Sequence, residues 1–225
     1  MIAKLSNCFQ TPLTLTGSTA LKCHLLGYGI NQTKTGLTDL DILVPNAAAL
    51  PESLNQDFLV AHFHPLSKQG RMPLQLVEKT SAVRVDVFTP FSTTLDTRSV
   101  DVILGDRLCK LVSVEDLAAR LLAVMGGVLQ NEPIDPKYVE SFKTLRSFVN
   151  TSTIDAIWKD YRKAHLVQAF EEVATLIQQH LESHPELLKK PVYNQNVHQS
   201  CSSCQASTRF PLASRAKIYD MIGFV

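Results

Sequence analysis

Two aspartates, Asp39 and Asp41, are separated by one residue, a spacing that would allow them to bind one divalent cation. They lie in the run DLDILV, which alternates as a strand does before Pro45 ends it. Residues i and i+2 of a strand point to the same face, so the two carboxylates lie side by side. Carboxylates this close repel each other unless a cation lies between them, and Mg²⁺ prefers such oxygen ligands. The pair suggests a divalent-metal site; an Asp-X-Asp at a strand edge without a metal is the alternative.

A third carboxylate, Asp86, lies in the middle of the run VRVDVF at residues 83–88. The three valines of this run share one face of the predicted strand, whereas Arg84 and Asp86 share the other. Such a strand can bring a third acid to the first two. The alternative is a solvated aspartate that pairs with Arg84.

Gly17 and Ser18 stand between a strand-like run at 13–16 and a helix predicted over 19–26. A glycine lets the backbone approach a ligand closely, and the serine hydroxyl and exposed N–H groups can begin the helix. Because a helix N-terminus attracts phosphate, this turn is a candidate phosphate site. A plain helix cap is the alternative.

The sequence around these residues predicts an α/β region followed by helices. Further strands are predicted at 57–63, 73–78 and 82–88, with one last strand within 100–113. Helices are predicted at 114–126, and two or three more within 136–149 and 153–182. We therefore predict three parts: an α/β domain at 1–112, a helical region at 113–190, and a cysteine-containing tail at 191–225 that ends in one short helix.

Composition limits the class of protein. The 225 residues, 45% of them hydrophobic, are enough for a packed core, and the formal net charge of +1 does not indicate a polyanion binder. The N-terminal residues lack the apolar segment of a secretory signal, and the sequence contains no apolar run of about 18 residues that could span a membrane. We expect a soluble cytoplasmic protein without membrane contact.

The tail contains a second candidate metal site, formed by His198, Cys201 and Cys204. Cysteines separated by two residues can bind one zinc ion, and the histidine could add a third ligand. A closed zinc site would need a fourth ligand from a distant histidine. A pair of reduced surface thiols is the alternative.

These motifs occur in an order that resembles a known family. The segment LTGSTALKCHLLGYGINQTKTGLTDLDILVP looks like the signature of the nucleotidyltransferase superfamily, with Gly-Ser at a helix start and Asp-X-Asp on the next strand. The run VRVDVF resembles the strand that carries the third acid. Within the superfamily the chain is most similar to the minimal and AbiEii-toxin-like branch, and the match covers roughly residues 13–126.

The resemblance implies a mixed sheet with flanking helices and the transfer of a nucleotide from an NTP to a hydroxyl of RNA, protein or a small molecule. It implies that Asp39, Asp41 and Asp86 hold two Mg²⁺ ions and that Asp86 helps to activate the attacking hydroxyl. The nucleotide phosphates would be held by four residues, namely Gly17, Ser18, Thr19 and Lys34.

One later motif departs from the relatives' pattern. The run Ser113-Val-Glu-Asp-Leu117 matches, but Arg120 stands near the position where lysine is usual, and residues 135–140 only loosely echo a later acidic pair. Arginine and lysine are not equivalent as phosphate ligands or bases. A second hypothesis is therefore a catalytically weak nucleotidyltransferase-fold module that binds nucleotide or a partner protein.

Overall fold

The computed structural model describes residues 1–9, 12–30, 39–45, 50–64, 70–190 and 210–222. They divide into two compact units, one containing the described residues of 1–112 together with 210–222, the other containing residues 113–190. Within these ranges, no helix combines the length and the apolar character needed to cross a bilayer. The first unit contains the sheet, and the second is built from helices.

The described strands of the first unit form one seven-stranded sheet. They are β1 (Leu13–Thr16), β2 (Asp39–Leu43), β3 (Phe58–Phe63), β4 (Leu74–Glu78), β5 (Arg84–Phe88), β6 (Val100–Leu104) and β7 (Arg107–Leu111). The helices before β7 are α1 (Ile2–Phe9), α2 (Gly17–Gly27), α3 (Leu54–Asp57) and α4 (Leu95–Arg98).

The sheet is mixed, with the strand order β3-β4-β5-β2-β1-β7-β6. Strand β2 lies at its centre, antiparallel to β1 and parallel to β5, and β1 is also parallel to β7. This mixed sheet with flanking helices, followed by a helical region, confirms the fold class predicted from the sequence.

Alternation along the central strands gives the sheet one apolar face. Leu15, Ile42, Val85 and Val87 are completely buried on that face. Helices α1 and α2 both contact β1; α1 buries one leucine in the core and α2 buries two. The opposite face carries the intervening residues of β2 and β5, which include the aspartates. Hydrophobic burial on one side therefore fixes which side the carboxylates occupy.

Two local predictions are wrong. The segment 100–111 contains two strands rather than one, because Gly105, at φ +67°, allows a tight turn between β6 and β7. Asp57, predicted to begin a strand, ends the short helix α3 instead. Helix α1 was not predicted at all.

The second unit consists of four helices and two short 3₁₀ segments. The helices are α5 (Val114–Met125), α6 (Pro136–Arg146), α7 (Ile154–Tyr161) and α8 (Phe170–Ser183), and the 3₁₀ segments are Gly126–Gln130 and Pro185–Leu187. Trp158 of α7 meets Phe170 of α8 edge to face, with ring centroids 6.0 Å apart, and both are buried. The three helices α6, α7 and α8 confirm the predicted helical pattern of this region.

The C-terminal residues 210–222 return to the first unit. Leu212 forms a bridge with Val60 of β3, and Ala213 N donates to Val60 O at 2.8 Å. Phe210 is fully buried and meets Phe63 edge to face at 4.8 Å. The chain ends its described part in helix α9 (Arg215–Ile222), which confirms the predicted short helix.

Candidate functional site

The register of β2 and β5 places the three predicted acids on one face of the sheet. Asp39 lies beside Arg84, and Asp41 lies beside Asp86 on the parallel neighbour. Adjacent strands are about 4.8 Å apart, so Asp41 and Asp86 are direct neighbours. Asp39 and Asp41 are half-buried, and Asp86 is buried.

The Gly-Ser turn meets Asp41 directly. Thr16, the last residue of β1, pairs in register with Asp41, and Gly17 follows at φ +61° as the first residue of α2. A Cβ on Gly17 would lie 1.8 Å from Asp41 Oδ2, so only glycine fits both the conformation and the space. The Asp41 carboxylate is thus held against the N-terminal end of α2, where negative charge is favourable.

The other residues of the turn lie in the first turn of the helix. Ser18 is the second helical residue and is exposed, and Thr19 follows half-buried. Thr16 occupies the N-cap position, not Ser18 as the sequence suggested. Ser18 therefore presents its hydroxyl to solvent beside the helix N-terminus.

Asp86 has two polar neighbours, Gln75 and Arg84, of which the sequence suggested only Arg84. Gln75 Nε2 donates to Asp86 Oδ1 at 2.8 Å, and Arg84 Nε lies 3.2 Å from Asp86 Oδ2. Burial raises the pKa of Asp86 and the charge of Asp39 adds to this, while Arg84 and Gln75 oppose it. Gln75 lies in a strand that was predicted, but only the antiparallel register of β4 and β5 places it opposite Asp86.

The three aspartates have the donor atoms that a magnesium site needs, but in this structure their carboxylates are not arranged around an ion. All three side chains offer the oxygen ligands that Mg²⁺ prefers. In the described part of the chain, however, no group of three or more His, Cys, Asp or Glu side chains is arranged to hold a metal ion. Instead Arg84 contacts two of the acids, with Nη2 at 3.4 Å from Asp39 Oδ2 as well as Nε near Asp86. The pairing with Arg84 that was the alternative for Asp86 is therefore present, but Asp86 is buried and not solvated as that alternative had it.

A cavity of about 510 Å³ lies in the same unit, and its lining does not include any of the three acids. It is lined among others by Thr14 and Leu43, which pair in register two residues from Thr16 and Asp41. Thr89, Ser92 and Asp96 line it from the segment after β5. Hydroxyl groups and apolar surface thus meet in this cavity.

No family model and no curated protein matches this chain. The chain is similar to a crystal structure of ANT(2'')-Ia in complex with adenylyl-2''-tobramycin, with a TM-score of 0.49 and 11% identity over 71% of this chain and 92% of that one. It is also similar to a solution structure of the antibiotic-resistance factor ANT(2'')-Ia, with a TM-score of 0.47 and 12% identity over 81% and 94% of the two chains. Likeness at this level does not establish a shared activity, and the AbiEii-toxin-like branch stays a prediction.

The Ser-X-Glu-Asp-Leu motif serves the structure of the helical unit. Ser113 Oγ accepts from Asp116 N at 3.0 Å as the cap of α5 and donates to Asp116 Oδ2 at 2.6 Å. Tyr161 OH donates to Asp116 Oδ1 at 2.7 Å, and Asp116 is fully buried. Glu115 accepts from Asn150 N at 3.0 Å. Both acids therefore tie α5 to its neighbours within the helical unit.

Four predicted ligands lie outside the described residues. Lys34 belongs to the segment 31–38, and His198, Cys201 and Cys204 belong to the segment 191–209. The predicted nucleotide contact of Lys34 and the predicted zinc site of the tail therefore stay predictions.

Proposed function

We propose that the protein is a Mg²⁺-dependent nucleotidyltransferase that transfers a nucleotide from an NTP to an acceptor hydroxyl. One observation carries the proposal: Asp41 lies beside Asp86 in register and against Gly17 at the N-terminus of α2. Three acids thus lie on one face of one sheet, and a helix N-terminus, which favours phosphate, lies beside Asp41. This combination suits a triphosphate better than either feature alone does.

Each residue then has a defined task. Asp39 and Asp41, joined by Asp86, would hold Mg²⁺, which would neutralise charge on the triphosphate and on the leaving pyrophosphate. Gly17, Ser18 and Thr19 would bind the β- and γ-phosphates at the helix N-terminus. The acceptor oxygen attacks the α-phosphorus, the bond to the β-phosphate oxygen breaks, and pyrophosphate leaves.

Asp86 suits the proton transfer in this reaction. Burial raises its pKa, so Asp86 is a better proton acceptor than an exposed aspartate, and it would take the proton of the attacking hydroxyl. The cavity of about 510 Å³, which Leu43 lines two residues after Asp41, has room for the organic part of a substrate. A small molecule, an RNA end and a protein hydroxyl remain the candidate acceptors.

The test is metal-dependent turnover. Purified protein is incubated with each α-labelled NTP, Mg²⁺ and a panel of acceptors, and pyrophosphate release and label transfer are measured. Asp41→Asn should abolish both signals. Asp106→Asn, which changes an 84% exposed side chain in the β6–β7 turn, should leave both unchanged. Signals that survive in Asp41→Asn would refute the proposal.

The second candidate is a binding module with little or no turnover. Two observations favour it: Glu115 and Asp116 are engaged in structural contacts, and Arg84 already pairs with two of the three acids. Calorimetry with Mg-NTP separates the two functions. Tight, Asp41-dependent binding without pyrophosphate release would favour the module.

A further inference from the structure

Arg84 links two carboxylates of the candidate site. It begins β5, pairs in register with Asp39 on β2, and lies two residues before Asp86 on the same strand face. Its Nη2 is 3.4 Å from Asp39 Oδ2 and its Nε is 3.2 Å from Asp86 Oδ2. One guanidinium therefore contacts an acid on each of two neighbouring strands.

The positive charge of Arg84 compensates part of the negative charge of Asp39 and Asp86. Asp39 and Asp86 carry like charges on neighbouring strands, and the guanidinium of Arg84 contacts both carboxylates. Gln75 supplies a hydrogen bond to Asp86 but no charge. Within the described part of the chain, the guanidinium thus stands where a metal ion would otherwise compensate the two acids.

The side chains of Arg84 and Asp86 differ in their exposure to solvent. The Arg84 side chain is 46% exposed, whereas that of Asp86 is 12% exposed. Asp86 is also fixed by Gln75 from the strand on its other side. Arginine is long and borders solvent, so it can leave without disturbing the core. The two acids can then stay where the strands hold them.

We propose that Arg84 is a built-in counter-ion, which holds Asp39 and Asp86 in the metal-free protein and which a divalent cation must displace in order to bind. This inference rests on the proposed function, because it takes the aspartates to be metal ligands. Metal affinity is then set by a competition between Mg²⁺ and a guanidinium of the same chain. Removing the guanidinium should strengthen metal binding, whereas a residue that merely positions the ligands would weaken it when removed.

The test measures binding of Mg²⁺ alone by calorimetry, without nucleotide or acceptor. Arg84→Met should bind Mg²⁺ about two- to fivefold more tightly than wild type, because one partly exposed ion-pair competitor is lost. Arg107→Met is the matched control, since Arg107 is 39% exposed and pairs with Asp106 in the β6–β7 turn. It should leave the affinity unchanged.

A second readout is thermal unfolding. Metal-free Arg84→Met should melt below wild type, and Mg²⁺ should raise its melting temperature by more than it raises that of wild type. If Arg84→Met does not fold, Arg84→Gln provides the same comparison. Unchanged or weaker Mg²⁺ affinity in the Arg84 variants, with wild type binding Mg²⁺, would overturn the inference alone. Failure of wild type and variants alike to bind Mg²⁺ would overturn the proposed function as well.

Discussion

Two buried carboxylates lie on neighbouring strands, Glu78 on β4 and Asp86 on β5, and folding shifts their pKa values in opposite directions. Burial acts to raise the pKa of Glu78, but hydrogen bonds from Lys4, Ser81 and Thr80 outweigh it and lower that pKa to about 2. Burial also raises the pKa of Asp86, and there Arg84 and Gln75 are not enough to reverse it. Each acid has one cationic neighbour, so a cation alone does not decide the outcome.

One difference between the two acids is the number of hydrogen bonds that each accepts. Glu78 Oε1 accepts from Lys4 Nζ at 2.5 Å, and Oε2 accepts from Thr80 N, Ser81 N and Ser81 Oγ at 3.0, 2.6 and 2.7 Å. Through Lys4, which also contacts Asp57 at 3.3 Å, this carboxylate ties α1 to the sheet. Glu78 is a structural anchor, whereas Asp86 keeps a cost of ionisation that a further cation can relieve.

The largest expected effect is on the rate of nucleotidyl transfer, which should depend on Asp86 but not on Glu78. Asp86→Asn should lower the rate of nucleotidyl transfer by roughly 10²- to 10⁴-fold, because the variant cannot accept the proton of the acceptor hydroxyl. Glu78→Gln should leave the rate close to that of wild type. Initial rates of pyrophosphate release, measured where both variants are folded, check this prediction. Equal losses in the two variants would show that the acids do not differ in role.

For stability we expect the reverse order, with Glu78→Gln destabilising the fold more than Asp86→Asn does. Glu78→Gln should lower the free energy of unfolding by about 2 kcal/mol, because charge-assisted hydrogen bonds to Lys4 and Ser81 are lost from a buried position. Denaturant unfolding followed by circular dichroism measures this change. Glu182→Gln, on the exposed side of α8, is the control and should have little effect. A loss no greater than that of the control would remove Glu78 as an anchor.

The pH dependence of stability follows from the lowered pKa of Glu78. Its pKa falls from the ordinary 4.5 to about 2 on folding, so the unfolded chain binds more protons than the folded one between these values. The contribution of Glu78 is complete above about pH 4.5 and is lost as the pH falls towards 2. Melting temperatures across this range should therefore fall less steeply for Glu78→Gln than for wild type; parallel curves would contradict the prediction.

The smallest expected effect is a gain in stability at the other acid. Because folding raises the pKa of Asp86, ionised Asp86 opposes folding at neutral pH, and this cost disappears as the pH falls below the folded pKa. Asp86→Asn should therefore unfold at a slightly higher temperature than metal-free wild type at pH 7. Calorimetric melting at pH 7 and pH 4 measures the difference, which should shrink at the lower pH. A lower melting temperature at pH 7 would mean that the existing partners compensate Asp86 fully.

Strand periodicity was enough to predict the central part of this arrangement. The alternation in DLDILV and VRVDVF predicted which face the aspartates occupy, because hydrophobic burial of Ile42, Val85 and Val87 leaves only the other face for the acids. The Gly-Ser turn was predicted as a helix start for the same local reason. Local patterns suffice where one face of a single element must be apolar.

Contacts between residues that are distant in the chain could not be predicted from the sequence. Gln75 reaches Asp86 only through the β4–β5 register, and Lys4 reaches Glu78 across 74 positions of sequence. Helix α1 was not predicted because it is short and contains Ser6 and Asn7, which have low helix propensity. Its stability comes from tertiary contacts, in which Leu5 is buried. The contact of Gly17 with Asp41 likewise depends on how β1 pairs with β2.

The return of the chain to β3 has a consequence for the order of events during synthesis. The helical unit lies between two parts of the sheet-containing unit in sequence, since residues 210–213 complete the contacts of Val60 and Phe63. A ribosome therefore releases all of α5 to α8 before Phe210 can fill its buried position. The helices can therefore fold before residues 210–213 pair with β3. A nascent chain stalled at residue 190 would lack these contacts, so the edge of β3 and the ring of Phe63 would be more exposed to solvent.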